Sequence, residues 1–143
     1  MRKRLIVFLC MFLSAVLTGC GKEHRHLSME EAMKMMQSET DVLVVDVRTK
    51  EEFDKRHIPG AVLVPIEEIR AGRTDHLLPD KQKTLLLYCW TGRRAEDAAA
   101  LLVDMGYWKV YEFGGLVDWR GETEQTAREK PQKGEKQGPP FEK

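Results

Sequence analysis

Short apolar runs alternate with amphipathic segments through the middle of the chain. The most apolar run, residues 84–88, has no charged position, which is typical of a strand covered on both faces of a parallel sheet. The β-branched run at 41–46 also lacks polar and apolar alternation between its terminal aspartates, and it is too short for a buried helix. In all, the pattern predicts strands at 41–46, 61–64, 84–88 and 109–111, and helices after Ser28, after Thr49, and at 66–71, 95–105 and 116–120.

Helix-terminal signals support this assignment. Ser28 is followed three residues later by Glu31, and Thr49 by Glu52, and each pair has the form of a capping box. Gly106 follows the longest predicted helix, where a residue with positive φ commonly ends the helical turn. Strands that alternate with helices predict an α/β domain with a mostly parallel sheet, in which ligands bind at the carboxyl ends of the strands.

The N-terminus has the pattern of an export signal. Three basic residues at 2–4 precede an apolar stretch at 5–16, which is shorter than the about 20 residues that span a membrane. The next residues, Leu17-Thr18-Gly19-Cys20, resemble the lipobox of bacterial lipoproteins. An uncleaved single-span anchor and a secreted protein cleaved elsewhere are the alternatives.

The lipobox resemblance implies a division of the N-terminal region. Residues 1–19 would be the cleaved signal peptide, and Cys20 would carry a diacylglycerol thioether and an acyl chain such as palmitate on its amine. Residues 20–26 would then be a tether between the membrane and the domain. The expected location is the cell envelope, with the protein lipid-anchored and facing outside the cytoplasm, because two or more acyl chains hold a protein stably at a membrane.

The C-terminus and the overall charge exclude some partners. Residues 122–143 are nearly free of apolar side chains and rich in Lys, Glu, Gln, Gly and Pro, which predicts a disordered tail. The 23 basic residues balance the 23 acidic ones, and removal of the signal leaves a mildly acidic protein. We therefore expect no nucleic-acid binding and one small folded domain at 27–121, with nothing that requires more than a monomer.

The chain has three cysteines with different contexts. Cys10 lies in the predicted signal peptide, and lipid would block Cys20. Cys89 is then the one free thiol of an exported protein and has no partner for an intramolecular disulfide. A lone thiol in that compartment is a candidate for chemistry.

The segment that follows Cys89 favours a reactive thiolate. Trp90-Thr91-Gly92-Arg93-Arg94 leads from the predicted strand into a helix, so backbone N–H groups of a tight turn and of the first helical turn surround the sulfur. The two arginines add positive charge, and Gly92 permits a positive φ. These features predict that Cys89 is a nucleophile; an inert buried thiol is the alternative.

Four segments in order carry a family resemblance over nearly the whole predicted domain. They are Asp46-Val47-Arg48 followed by Glu52-Phe53, His57-Ile58-Pro59-Gly60-Ala61 with Pro65, Cys89-x-x-Gly92-x-Arg94, and Gly114-Gly115 with Trp119. With these spacings the chain resembles the single-domain rhodaneses, which are sulfurtransferases. One departure is Arg56, where members of that family usually carry glycine.

The resemblance implies a fold, a reaction and roles for these residues. The fold would be a central five-stranded, mostly parallel sheet with helices on both faces. Cys89 would take sulfur from thiosulfate or a similar donor as a persulfide and pass it to a thiol or cyanide. The N–H groups of Trp90 through Arg94 would surround the persulfide, Arg93 and Arg94 would attract an anionic donor, and Trp90 would form a pocket wall. No metal or organic cofactor would be needed.

Several alternatives remain open. Phosphatases of the same fold have a loop one residue longer, with arginine six positions after the cysteine, and here that position is Ala95. Asp46 and Arg48 are interpreted as a mutual ion pair that supports the loop. The competing functions are a non-enzymatic module that presents sulfur or binds a partner, and a thiol relay that exchanges with another protein's cysteine.

Overall fold

The computed structural model describes residues 24–126, which form one five-stranded, fully parallel sheet flanked by four helices. The strand order is β1-β5-β4-β2-β3. The predicted signal peptide, the lipidation site Cys20 and residues 127–143 of the predicted tail lie outside the described residues. The strands are β1 (Arg25–His26), β2 (Val42–Asp46), β3 (Val62–Leu63), β4 (Thr84–Cys89) and β5 (Lys109–Gly115), and the helices are α1 (Met29–Ser38), α2 (Lys50–Lys55), α3 (Ile66–Arg70) and α4 (Arg93–Asp104).

Strand β4 occupies the centre of the sheet, as its apolar run predicts. All six of its residues are buried. It pairs with β2 on one side, where Asp46 lies opposite Tyr88, and with β5 on the other, where Cys89 lies opposite Gly115. The carboxyl end of β4 therefore lies between two neighbouring strand ends, at the edge where parallel sheets bind ligands.

Helices cover both faces of the sheet and form two apolar clusters, as expected. One cluster joins α3 and α4 to side chains of β4 that include Leu85, Leu87 and Cys89. The opposite cluster joins Ala32 of α1 to Leu86 and other side chains of the sheet. Because successive side chains of a strand point to opposite faces, β4 supplies both clusters and is covered on both sides.

Both predicted capping boxes are present. The Ser28 hydroxyl accepts the N–H of Glu31, whose carboxylate accepts the N–H of Ser28. Thr49 and Glu52 make the same reciprocal pair at the start of α2. These pairs satisfy N–H groups that the first helical turn leaves free.

Two predicted boundaries and one predicted helix near the carboxyl edge of the sheet are wrong. Helix α4 begins at Arg93 instead of Ala95, because the Gly92 carbonyl already accepts the N–H of Glu96 at 3.0 Å. Strand β5 runs through the two glycines to Gly115, with a register shift against β4 between Leu87 and Cys89. Residues 116–120 form successive turns and no helix.

The edges of the domain also differ from prediction. Arg25 and His26, assigned to the tether, pair with β5 and complete the sheet. Glu124, assigned to the disordered tail, forms an antiparallel bridge with His57 through N–H···O bonds of 2.9 Å in both directions. Short-range sequence patterns do not reveal these pairings, because the partners are far apart in the chain.

No helix among residues 24–126 is both long and apolar enough to span a bilayer.

Candidate functional site

Cys89 lies at the carboxyl end of the central strand, as its last residue. The side chain is part of the core, and the residue is 1% exposed. Its Sγ accepts the backbone N–H of Gly92 at 3.0 Å. Residues 90–92 form the turn that leads from β4 into α4, so the sulfur lies beside the N-terminus of a twelve-residue helix. An N–H bond and a helix N-terminus both stabilise a negatively charged sulfur over a neutral one.

Backbone-to-backbone packing against the end of β5 fixes this turn. Gly92 has φ 103°, and a Cβ there would lie 3.0 Å from the Cα of Gly114. A Cβ on Gly115 would lie 2.1 Å from the Trp90 carbonyl oxygen. A side chain at position 115 would not fit against this turn, and Gly114 has φ 87°, so a different constraint favours glycine at each position.

Two hydrogen bonds hold the same turn from the segment after β5. Leu116 donates its N–H to the Cys89 carbonyl at 2.9 Å, and Val117 donates to the Trp90 carbonyl at 3.1 Å. The backbone on either side of the sulfur is therefore fixed by contacts with the neighbouring strand and its continuation.

Arg94 makes a two-point ion pair with Glu52 of α2. Its two terminal nitrogens donate to the two carboxylate oxygens, each at 2.8 Å. The hydrogen bond from Arg94 lowers the pKa of Glu52 to about 2, and the N–H of Thr49 contributes in the same direction. The pKa of Arg94 is raised, chiefly by Glu52 and to a smaller extent by Cys89. Arg94 thus lies beside the sulfur with its charge already paired.

The other residues predicted around the sulfur lie at the surface. Thr91 and Arg93 are exposed, and Trp90 is 42% exposed. The guanidinium carbon of Arg56 lies 5.4 Å from the centre of the Trp90 ring, within cation–π range. Trp90 therefore stands at the rim of the site in contact with a cation.

Asp46 and Arg48 form the ion pair interpreted from the sequence. Both side chains are buried, and the Arg48 guanidinium binds both carboxylate oxygens at 2.7 to 3.1 Å. The same guanidinium donates to the Arg56 carbonyl at 2.6 Å. The pair therefore anchors the C-terminal end of α2 next to β4.

Tyr88 also holds the segment after α2 against β4. Its hydroxyl oxygen accepts the N–H of Ile58 at 3.1 Å. Burial raises the pKa of Tyr88, with the Asp46 charge acting in the same direction. A neutral phenol thus fixes the turn after α2 to the strand that carries Cys89. His57 makes a local hydrogen bond, with its Nδ1 2.8 Å from the Phe53 carbonyl oxygen.

A shallow groove of about 440 Å³ flanks the turn on the β5 side. It is lined in part by Thr91, Arg93, His26 and Glu112. His26 Nδ1 lies 2.6 Å from the nearly buried carboxylate of Glu112. Within residues 24–126 there is no cluster of three or more metal-binding side chains.

The structure gathers all six residues of the predicted loop, Cys89 through Arg94, at one edge of the sheet. Sequence reasoning did not identify the contacts that Glu52 and Arg56 make with this loop. Glu52 was assigned a role only as a capping residue, although its place in the first motif segment was a signal. Arg56 was visible only as a departure from a family pattern.

Comparison with known proteins agrees with this architecture. The model of the rhodanese-like domain matches residues 28–122. The thiosulfate sulfurtransferase PspE of Escherichia coli is 38% identical over 74 residues, which are 52% of this chain and 70% of that protein. The putative sulfur carrier protein YrkF of Bacillus subtilis is 34% identical over 99 residues, which cover 68% of this chain but about half, 52%, of that longer protein.

Solved structures give the same result. A rhodanese with anions from E. coli superimposes with a TM-score of 0.54 at 33% identity, covering 59% of this chain and 98% of that one. The matched family model, the sequence relatives and the parallel five-stranded sheet lead to one assignment. This chain belongs to the rhodanese-like family.

Proposed function

We propose that the chain is a sulfurtransferase that moves sulfane sulfur from thiosulfate or a similar anionic donor to a thiophilic acceptor through a persulfide on Cys89. The observation that carries the proposal is the contact of the Cys89 Sγ with the Gly92 N–H at 3.0 Å, in a glycine-constrained turn beside a helix N-terminus. Similarity to a thiosulfate sulfurtransferase and to a solved structure of a rhodanese with anions supports the choice of donor.

The first step forms the persulfide. The Cys89 thiolate attacks the outer sulfur of thiosulfate, a new S–S bond forms, and the S–S bond of the donor breaks with its electron pair. Sulfite leaves, and the persulfide keeps one negative charge. The Gly92 N–H and the first turn of α4 stabilise that charge, and Arg94 adds a positive charge beside the sulfur.

The second step releases the sulfur to the acceptor. A thiolate or cyanide attacks the outer sulfur of the persulfide, the Cys89 thiolate departs as the leaving group, and the acceptor becomes a persulfide or thiocyanate. No electrons enter or leave over the full cycle. The groups that stabilise the Cys89 thiolate also make it a better leaving group, so one turn serves both steps.

The size of the turn favours sulfur over phosphate. Arg94 stands five positions after Cys89, and the sixth position, Ala95, is fully buried in the core as part of α4. No arginine therefore occupies the position that phosphatases of this fold use. A small ring of N–H groups matches a single sulfur atom better than a tetrahedral oxyanion.

We further propose that the mature protein is anchored by lipid on Cys20 in the cell envelope, facing outside the cytoplasm. The basic, apolar and Leu-Thr-Gly-Cys segments of the N-terminus support this location. Metabolic labelling with palmitate in a bacterial host tests it. The label should appear on the wild type and vanish in Cys20→Ala; equal labelling of both proteins would contradict lipidation at this residue.

Intact-mass spectrometry of the full chain tests the reaction. Incubation with thiosulfate and no acceptor should add the mass of one sulfur atom to the wild type and nothing to Cys89→Ser. Cyanide should then remove the sulfur and yield thiocyanate. No adduct on a folded protein whose Cys89 still reacts with an alkylating agent would exclude thiosulfate as the donor.

A sulfur-presenting module or thiol relay is the second candidate, favoured by similarity to a putative sulfur carrier. In that case the Cys89 persulfide would form but would resist cyanide and small thiols. It would pass to a protein cysteine, and a mixed disulfide with that protein could be trapped. Turnover with small acceptors distinguishes the enzyme from this candidate.

A further inference from the structure

Two cations beside the reactive turn, Arg56 and Arg93, have no acidic partner among residues 24–126. Among the described residues, 24–126, no carboxylate lies within ion-pair distance of Arg56 or Arg93. Arg94, which the sequence analysis expected to attract an anion, is instead paired with Glu52 at two points. The positive charge available to an incoming anion therefore comes from residues other than Arg94.

Helix α2 positions Arg56 against the turn. Arg56 directly follows the last residue of α2, and its N–H donates to the Glu52 carbonyl at 3.3 Å, which places the Arg56 backbone one turn beyond Glu52. Glu52 contacts Arg94 at one end of the loop 89–94, and Arg56 contacts Trp90 at the other. Glu52 in α2 and Arg56 just after it therefore both face the loop that holds Cys89.

The contact with Trp90 leaves the Arg56 guanidinium able to bind an anion. The indole ring attracts the cation but offers no oxygen acceptor, so the guanidinium keeps its N–H donors for another ligand. The backbone is fixed separately, because the Arg56 carbonyl accepts a 2.6 Å hydrogen bond from the buried Arg48. A fixed backbone and a ring contact reduce the freedom that Arg56 loses when it binds an anion.

We propose that Arg56 is a specificity-determining residue that binds the sulfonate end of an anionic sulfur donor and favours such donors over neutral ones. The proposal rests on the proposed function and names the group that recognises its donor. Trp90 follows Cys89 in the chain and contacts Arg56, so the Arg56 guanidinium lies beside the turn that holds the attacking sulfur, where it would meet the sulfonate oxygens of the donor. A guanidinium is suited to such oxygens because its donors form a planar fork.

Thiosulfate titration tests the proposal on the full chain. The rate of sulfur addition to Cys89 is measured by intact mass for the wild type, Arg56→Gln and Lys55→Gln. Lys55 is the matched control, because it is an exposed cation on the preceding residue. Arg56→Gln should raise the half-saturating thiosulfate concentration about fivefold, as expected for a partly exposed ion pair, with little change in the maximal rate. Lys55→Gln should change the half-saturating concentration little. Added salt should reduce the difference between Arg56→Gln and the wild type.

Thiosulfonates of different charge test the role of Arg56 independently of the proposed function. Methyl, sulfonatoethyl and trimethylammonioethyl methanethiosulfonate are neutral, anionic and cationic reagents that all modify a thiolate with loss of methanesulfinate. Arg56→Gln should lower the rate at which the anionic reagent modifies Cys89, leave the rate of the neutral reagent unchanged and raise the rate of the cationic one. This result would support the role of Arg56 even if thiosulfate itself gave no persulfide, which would contradict the proposed function alone.

Three results would overturn the assignment to Arg56. One is an unchanged preference among the three reagents. Another is an equal effect of Lys55→Gln, which would indicate a general surface potential. The third is an equal slowing of the neutral reagent, which would mean that Arg56 positions the turn instead of binding an anion.

Discussion

Glu52 and Arg94, 42 residues apart in the chain, meet through two parallel hydrogen bonds of 2.8 Å. The pair joins α2 to the first turn of α4 across the end of the strand that carries Cys89. Glu52 also caps its own helix by accepting the N–H of Thr49. One carboxylate therefore fixes both the start of α2 and the orientation of the arginine beside the sulfur.

Glu52→Gln should slow persulfide formation by about fivefold, because an amide cannot pair both Arg94 nitrogens and the loss of this solvent-screened, charge-assisted contact costs about 1 kcal/mol. The measurement is the rate of sulfur addition from saturating thiosulfate. Glu51→Gln is the control, since it makes the same change of charge on a neighbouring exposed residue. Equal rates in both variants would contradict a role for Glu52 in positioning Arg94.

The same pair predicts a pH dependence of stability. Because Arg94 lowers the pKa of Glu52 from 4.5 to about 2, its contribution is complete above pH 4.5 and disappears as the pH falls through about 2. Both side chains are 34% exposed, so solvent screening reduces the contribution to about 1 kcal/mol. Urea unfolding should show wild type and Glu52→Gln differing by this amount at pH 6 and converging towards pH 2. A difference that does not change with pH would contradict the assignment.

Gly92→Ala should impair both folding and chemistry. Its φ of 103° strains an L residue, and the new Cβ would lie 3.0 Å from the Gly114 Cα, so we expect a loss of about 2 kcal/mol and a displaced N–H at the sulfur. Gly106→Ala is the control, with φ 93° and no atom within 4 Å of the added Cβ. It should lose about 1 kcal/mol in urea unfolding but keep the rate of sulfur addition. If Gly92→Ala also kept that rate, the N–H contact would not be needed.

Asp46→Asn should be far more destabilising than the removal of a surface pair. It leaves Arg48 buried without its counter-ion, which costs about 3 kcal/mol. Asp41→Asn removes the carboxylate of a surface pair with Lys83 and should change the free energy of unfolding far less, because solvent screens that pair. Urea unfolding compares the two variants. The folded fraction of Asp46→Asn should still accept sulfur on Cys89, and a complete loss of reactivity in folded protein would show that the pair does more than support the turn.

Local sequence patterns were sufficient to predict much of the site. The apolar run that ends at Cys89 predicted the central strand, and the Thr49–Glu52 capping box predicted the start of α2. The contacts made by Glu52 with Arg94 and by Arg56 with Trp90 could not be read from the sequence, because each joins segments that only the folded sheet brings together. The strand predicted at 109–111 stopped short of Gly114 and Gly115 for the same reason: Gly115 lies against the neighbouring turn, Gly114 has φ 87°, and neither ends the strand.

The location of Cys89 on β4 has a consequence for how the molecule unfolds locally. Backbone amides in a central strand covered on both faces exchange their hydrogens slowly, since their exposure requires opening of most of the domain. The outer strands β1 and β3 contain two residues each and can separate at much lower free energy. The reactive sulfur is therefore attached to the part of the fold that opens last, and fraying at the sheet's edges would leave its surroundings intact.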